Sequence, residues 1–391
     1  MTSGTTRPAV SFGVDELSAG RASGLPKSAR LGLVTNNAAR VASNVDVTGR
    51  AALRDAGFNL VRLFGPEHGL SAAAADGAKI ADDRDPLTGL PAVSLYGEKR
   101  RPSPEELADL DAVLFDIPDV GARFYTYIWT LSHVLEACGE GGKPLYILDR
   151  PNPIGGDLTA AEGPMLDEAN ISTFVGRWSS PIRHSLTVGE LATLWNAERK
   201  IGAELHVVKC AGWRRANHWP ATGLPFVAPS PNMRDYAAAL LYPGTCLVEG
   251  TNLSEGRGTD APFRLIGAPW LDAHALADAL IARRPPGIGV TPVTFKPDSR
   301  KHANEVCQGL RLSIADAAAA RPVAFGLCLI ATALKLHPDR FEWLKSFDRL
   351  AGRAEVREAI ARDPAGVVDH LDKWTRAEGW TERVQPHLMY E

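Results

Sequence analysis

The sequence predicts an α/β protein, with a parallel, doubly wound sheet in its first part and a smaller, different second part. Three observations carry this. Short apolar strands alternate with helical segments, the pattern of a parallel sheet wound on both faces. Successive strands end in polar clusters, at Glu67-His68, Asp116 to Asp119 and Asp149-Arg150-Asn152. The carboxyl edge of such a sheet is where ligands bind. Finally, the Pro-rich run Leu224 to Arg234 (LPFVAPSPNMR) marks a boundary, dividing the chain into 1–233 and 234–391.

Taken in order, a short amphipathic piece spans Val14 to Leu17, and Arg30 to Thr35 (RLGLVT) reads as a first buried strand. Thr48 to Ala56 reads as a short helix, with Thr48 as its cap and Gly57 as its stop. The chain then reaches the stretch that organises the rest, NLVRLFGPEHG from Asn59 to Gly69. Val61, Leu63 and Phe64 make a strand, Gly65 and Pro66 end it, and Glu67 and His68 sit just past the stop. Ser71 to Leu90 lacks periodicity and carries Asp76, Asp82, Asp83 and Asp85; long loops of this kind are mobile or functional. Pro91 to Tyr96 reads as a strand, and Ser103-Pro104-Glu105-Glu106 opens a helix with a cap, a proline and first-turn acids.

Ala112 to Ile117 (AVLFDI) is a further clear strand. A helix is expected from Arg123 to Cys138, a turn at Gly139 to Lys143 and a strand at Pro144 to Leu148. Thr187 to Arg199 reads as a helix, with Thr187 and Glu190 forming a capping box, and Glu204 to Lys209 as a strand. In the second half, Cys246 to Asn252 reads as a short strand running into a turn with Glu249. Ser254 to Asp260 (SEGRGTD) is a glycine-rich loop around Arg257. A helix from Asp272 to Arg283, strands near Val290 to Phe295 and Val306 to Ser313, and helices to the end complete the chain.

At 391 residues the chain suits two domains. Lys+Arg of 43 against Asp+Glu of 46 leaves a net charge of −3, which argues against an extended nucleic-acid surface. The five cysteines are widely spaced and include no C-x-x-C, so buried free thiols are expected rather than disulfides or a zinc knuckle. No segment reaches the ~18 apolar residues of a membrane span. The amino end shows no apolar leader core, which makes cytoplasmic residence the expectation.

Several chemistries lack their motifs. G-x-S-x-G and G-x-x-x-x-G-K-[ST] are absent, and the first strand leads into TNNAAR rather than a dinucleotide loop. No metal-ligand spacing stands out, so neither metal nor cofactor is expected. What remains is carboxylates, arginines and aromatics. A carboxylate at a strand end beside an imidazole is what general acid–base work needs, although an ordinary solvated loop explains Pro66-Glu67-His68 equally well on spacing alone. Paired carboxylates, aromatic platforms and Asn/Arg hydrogen-bonders are the equipment of a sugar-cleaving site. Trp129 is assigned to core packing.

The motifs FGPEHG, FDIPDVGARFYTYIWTL, LDRPNPIGG, EGP, IRHSLTVGELA, PSPNM, YPGTCLVEGTNLSEGRGTDAPFRLIGAPW and HLMY together resemble the NamZ-type exo-β-N-acetylmuramidases, in order from about Leu31 to Tyr390. The resemblance implies a Rossmann-like N-terminal domain, a smaller α+β C-terminal domain and an active site in the cleft between them. It also implies release of N-acetylmuramic acid from the non-reducing end of peptidoglycan fragments, and Glu67 matches the family's catalytic glutamate. The chain departs from the family pattern at the loop LSAAAADG (70–77), which is more polar in relatives, and at Pro118, where glutamine is expected. It also shows no leader, whereas family members are often exported.

The expected catalytic group is therefore Glu67 as general acid, His68 as its neighbour, and Glu249 as a second carboxylate, with Asp116 or Asp119 next in line. The expected substrate contacts are Asp116, Asp119, Arg123, Tyr125, Asp149, Arg150, Asn152, Glu162, Arg183, His184, Asn232, Asn252, Glu255 and Arg257. Arg183 and Arg257 are ranked first for the lactyl carboxylate. The expected partner is a peptidoglycan-derived disaccharide or muropeptide, not nucleic acid. The alternatives are a non-catalytic muropeptide-binding protein of the same fold and a β-N-acetylhexosaminidase of different sugar specificity.

Overall fold

The computed structural model describes residues 9–22, 24–74, 77–78 and 83–391; Asp76 and Asp82 of the long loop lie outside these. Among the described residues, seven strands form one sheet: β1 (Leu31–Thr35), β2 (Leu60–Gly65), β3 (Asp83–Arg84), β4 (Pro91–Ser94), β5 (Ala112–Asp116), β6 (Leu145–Leu148) and β7 (Leu205–Val208). Their order is β3-β4-β2-β1-β5-β6-β7, parallel throughout except for the β3–β4 pair. Strand order thus reverses about β1: the chain first builds outward through β2 and β4, then returns to build the other side from β5.

Alternation along the strands covers both faces. Leu31, Leu33, Leu63, Leu114 and Leu148 pack with Val14, Leu17 and Leu53 on one face. Val34, Phe64, Phe115 and Ile147 face the other way, toward the helices Tyr127–Gly141 and Val188–Glu198. The anticipated caps form. Thr48 accepts from the Ala51 amide, and capping boxes close at Ser103/Glu106 and Thr187/Glu190. Trp129 is buried and stacks on Trp195 at 5.2 Å. All five cysteines are free and buried.

The second part carries β8 (Leu265–Ala268), β9 (Ile288–Phe295) and β10 (Cys307–Ile314), antiparallel in the order β8-β10-β9. Helix Ala273–Ala282 packs against β9 and β10, and helix Pro322–Leu336 packs on that helix and on Tyr236–Thr245. Three expectations need correction. Cys246 to Asn252 is not a strand: a helix, Tyr236–Thr245, runs into a 3-10 turn, Cys246–Gly250. Pro243-Gly244 signals a break, yet it sits inside the helix because that glycine is pressed against the neighbouring helix. A Cβ there would lie 1.7 Å from the Pro322 carbonyl oxygen. The helix expected from Arg123 begins at Tyr127, because the preceding residues form the cleft wall described below. The long loop contains β3, and Asp85 is buried in an ion pair with Arg50.

Side chains spent on backbone groups lock the two parts together. Arg123, fully buried, donates from Nη1 to the Pro164 and Ser180 carbonyls at 2.8 and 2.7 Å. From Nη2 it donates to Leu350 and Ala351 at 3.0 and 2.8 Å. Burial pulls its pKa down to about 9, so it stays charged at neutral pH. Glu162 accepts from the Val323 and Ala324 amides, capping the helix Pro322–Leu336. The chain end also returns, with the Tyr390 hydroxyl donating to Asp149 Oδ2 at 2.6 Å. Arg123→Leu strands four carbonyls, and is expected to cost at least ~3 kcal/mol, since hydrogen bonds to charged groups contribute ~1.5–3 kcal/mol each. Urea unfolding of the variant checks this; a loss below ~1 kcal/mol would show that water replaces the guanidinium without cost.

Candidate active site

The turn after β2 places the first two site residues. His68 and Gly69 both take left-handed backbone, with φ of 66° and 68°. For a histidine that conformation costs ~1–3 kcal/mol and is kept where surroundings enforce it. Here the ring is held by its Nδ1, 2.7 Å from the Ala74 carbonyl oxygen, so Nδ1 carries a hydrogen and donates. The His68 ring also meets Tyr127 edge-on at 6.5 Å.

Glu67 is nearly buried, and both its oxygens are held. Thr126 Oγ1 donates to Oε2 at 2.6 Å, and the Gly77 amide donates to Oε1 at 3.2 Å. Thr126 caps the helix after β5, so the carboxyl ends of β2 and β5 together hold this carboxylate. These strands flank β1, where strand order reverses, the usual ligand position in an open α/β sheet.

A cleft of about 170 Å³ opens here. The first part of the chain contributes Glu67, His68 and the run Phe124-Tyr125-Thr126; the connecting segment contributes Ser230, Asn232 and Met233. From the second part come Tyr242, Cys246, Glu249, Arg257 and Phe263. The cleft is therefore lined by one carboxylate from each part of the chain. Glu249 pairs with Arg257 Nη1 at 2.5 Å, and the same nitrogen lies 3.3 Å from Glu255 Oε1. Lys301 pairs with Glu255 Oε2 at 3.1 Å. Two acids and two bases thus balance. Burial pushes the Glu249 carboxyl up, with Arg257 opposing. Burial also disfavours an ionised Glu255, but Lys301 and Arg257 outweigh it and hold that carboxyl low.

Of the expected site residues, the cleft gathers Glu67, His68, Tyr125, Asn232, Glu249 and Arg257, with Glu255 behind Arg257. The others stand elsewhere. Asp116 is fully buried against Arg150, whose Nε donates to it at 2.7 Å. Asp119 accepts from the Gly121 amide at 2.8 Å and lies 3.2 Å from His184 Nε2. Asp149 accepts from Thr187, Gly189 and Tyr390, and burial pushes it up to about 6. Asn152 bridges the Leu186 carbonyl and the Ile154 amide. Arg183, ranked with Arg257 for the lactyl group, is buried and donates to the Ile154 and Ala320 carbonyls. Asn252 is tied to Arg340 and Glu342. Arg123 and Glu162 are the interdomain locks described above.

Sequence reasoning missed Thr126, Ser230, Met233, Tyr242, Cys246 and Phe263. Thr126 had a legible signal, lying one residue from Tyr125 in the same motif. Tyr242 and Cys246 were hidden by the unrecognised helix.

A family model described as "Exo-beta-N-acetylmuramidase NamZ, N-terminal" matches residues 31–237, and its C-terminal counterpart matches residues 240–390. The chain belongs to the NamZ family. The "Peptidoglycan beta-N-acetylmuramidase NamZ" of Bacillus subtilis (strain 168) is 42% identical over 359 residues, covering 90% of this chain and 85% of that protein. Two DUF1343 family crystal structures from Bacteroides fragilis NCTC 9343 share the fold. One gives a TM-score of 0.88 at 32% identity, covering 99% of this chain and 100% of that one. The other gives 0.76 at 28% identity, covering 98% and 99%. The seven-stranded sheet with a smaller antiparallel partner is thus the NamZ two-domain α/β architecture.

Proposed function

We propose that this chain is an exo-acting β-N-acetylmuramidase, a glycoside hydrolase that releases N-acetylmuramic acid from the non-reducing end of peptidoglycan fragments. The observation that carries the reading is that Glu67 and Glu249 line one small cleft, in a chain of the NamZ family. The cleft's size suits a single sugar, being below the ~300–1,000 Å³ of sites for larger ligands.

Glu67 is the general acid, donating its proton to the glycosidic oxygen while Thr126 and the Gly77 amide hold the carboxyl group in place. Glu249 is the second carboxylate and assists the attacking water. Arg257 receives the lactyl carboxylate. A buried anion needs a cation, and among the expected arginines Arg257 is the one that lines the cleft.

The lactyl carboxylate adds a third negative charge to the balanced group of Glu249, Glu255, Arg257 and Lys301. An added anion favours the protonated form of Glu249, whose carboxyl burial already pushes up.

Three outcomes are expected. Glu67→Gln loses at least ~100-fold in kcat, the lower end for general acid–base catalysis, with an unchanged thermal midpoint; wild-type turnover by the folded variant would remove Glu67 from this role. Arg257→Ala weakens both substrates through Glu249, but the muramide more. The ratio of kcat/KM for an aryl muramide over an aryl N-acetylglucosaminide falls by the equivalent of ~1.5–3 kcal/mol, and an unchanged ratio would exclude Arg257 as the clamp. Finally, the raised Glu249 becomes a base only at higher pH when the lactyl group is bound. The acidic limb of kcat should therefore lie at higher pH for the muramide than for the glucosaminide. Coincident limbs, read from paired pH profiles, would refute the charge argument.

A further inference from the structure

Next to the charged group, the cleft is lined by aromatic rings. Tyr125 meets Tyr127 at 4.9 Å and Tyr242 at 6.0 Å, both edge-on. Tyr242 in turn meets Phe124 at 5.1 Å and Phe263 at 4.7 Å. Tyr125 is more than nine-tenths buried, and among the described residues its hydroxyl makes no hydrogen bond of good geometry, although the Ser230 and Tyr127 hydroxyls lie near it. A buried hydroxyl left unpaired costs ~1–3 kcal/mol. Burial holds this phenol well above its usual range, so it stays protonated and can donate.

We infer that this aromatic part of the cleft recognises the acetamido group, with Tyr125 Oη donating to the acetyl carbonyl and the surrounding rings enclosing the methyl. The inference rests on the muramidase reading above and adds the group that selects the N-acyl substituent.

The order of residues along the cleft wall supports it. Glu67, which serves the glycosidic oxygen on C1, is held by Thr126. The next residue back in the chain is Tyr125, whose ring meets Tyr242. Tyr242 meets Phe263, and the Arg257 guanidinium lies 5.0 Å from the Phe263 ring. The wall thus presents an acid, then a hydroxyl in an apolar box, then a cation. N-acetylmuramic acid carries its leaving oxygen on C1, its acetamido group on C2 and its lactyl ether on C3, in the same order. An acetamido group fits the middle position in kind as well as place. Its carbonyl accepts one hydrogen bond, and its methyl wants an apolar enclosure.

The test uses aryl β-muramides bearing N-acetyl or N-propionyl groups, with competitive inhibition by N-acetylmuramic acid and by muramic acid. On the wild-type protein, a closed aromatic box should cut kcat/KM for the N-propionyl substrate at least ~10-fold, as one extra methylene does in a fitted pocket. Tyr125→Phe, which keeps the ring, should weaken inhibition by N-acetylmuramic acid ~10-fold while leaving muramic acid unchanged. Two results would overturn the inference. One is a wild-type enzyme that accepts both acyl groups equally. The other is a Tyr125→Phe variant, with wild-type melting behaviour, that loses both inhibitors in proportion or neither. A wild-type chain hydrolysing neither muramide would instead overturn the muramidase reading and this inference with it. The N-acyl comparison needs no variant, so a misfolded Tyr125→Phe leaves the test intact.

Discussion

A single guanidinium, with no carboxylate partner among the described residues, fixes the geometry of the cleft. Arg123 is fully buried and its Nη atoms serve four carbonyl oxygens, two from the excursion after β6 and two from the C-terminal part. A charge in that position is tolerated only because every carbonyl dipole points at it. Its own carbonyl accepts from Trp129 Nε1 at 2.7 Å, so the residue is held from both sides. Gly352 leaves the room: a Cβ there would lie 2.3 Å from Arg123 Nη2. The next three residues, Phe124, Tyr125 and Thr126, are one wall of the cleft. Fixing Arg123 therefore fixes the aromatic box, the hydroxyl that holds Glu67, and the position of the C-terminal part that carries Glu249.

The same logic explains why so many polar residues of the sheet edge stay out of the cleft. Asp116 is paired with Arg150, Asp119 with His184, and Asp149 with Tyr390. They anchor loops and return the chain end to the sheet. Buried polar groups must be paired, so a cluster of them at a strand end serves structure first. Only the turn after β2 among these three clusters sends its carboxylate into the cleft.

That division marks what the sequence could and could not disclose. Strand alternation, caps and turn signals are local and periodic, so the doubly wound sheet, the capping boxes at Ser103 and Thr187 and the helix after Asp272 were legible. The placement of Glu67 past a strand end was legible because Gly65 and Pro66 terminate its strand, while its expected role came from the family resemblance. Whether an arginine faces a ligand or a set of carbonyls is set by contacts distant in the chain. Arg183 and Arg257 were indistinguishable on paper for that reason: one is buried against Ile154 and Ala320, the other lines the cleft. The helix Tyr236–Thr245 had no clear local signal: it carries Pro243-Gly244, a pair that ordinarily marks a break, and packs there against Pro322.

Around the cleft the chain keeps several arrangements that cost stability. His68 holds a left-handed backbone, Glu249 is a carboxylate pushed up by burial, and the Tyr125 hydroxyl makes no hydrogen bond of good geometry among the described residues. Each alone could be an accident of packing. Together they surround one small volume, and they differ in kind: backbone strain, desolvated charge and an unmet hydrogen bond. Sequences that are otherwise locally consistent carry such conflicts at functional sites. Binding can relieve two of them, since a sugar substituent can satisfy the hydroxyl and a proton or a water can serve the carboxylate. Arg123 frames this volume from behind, because it ties carbonyls from both parts of the chain to the same buried group.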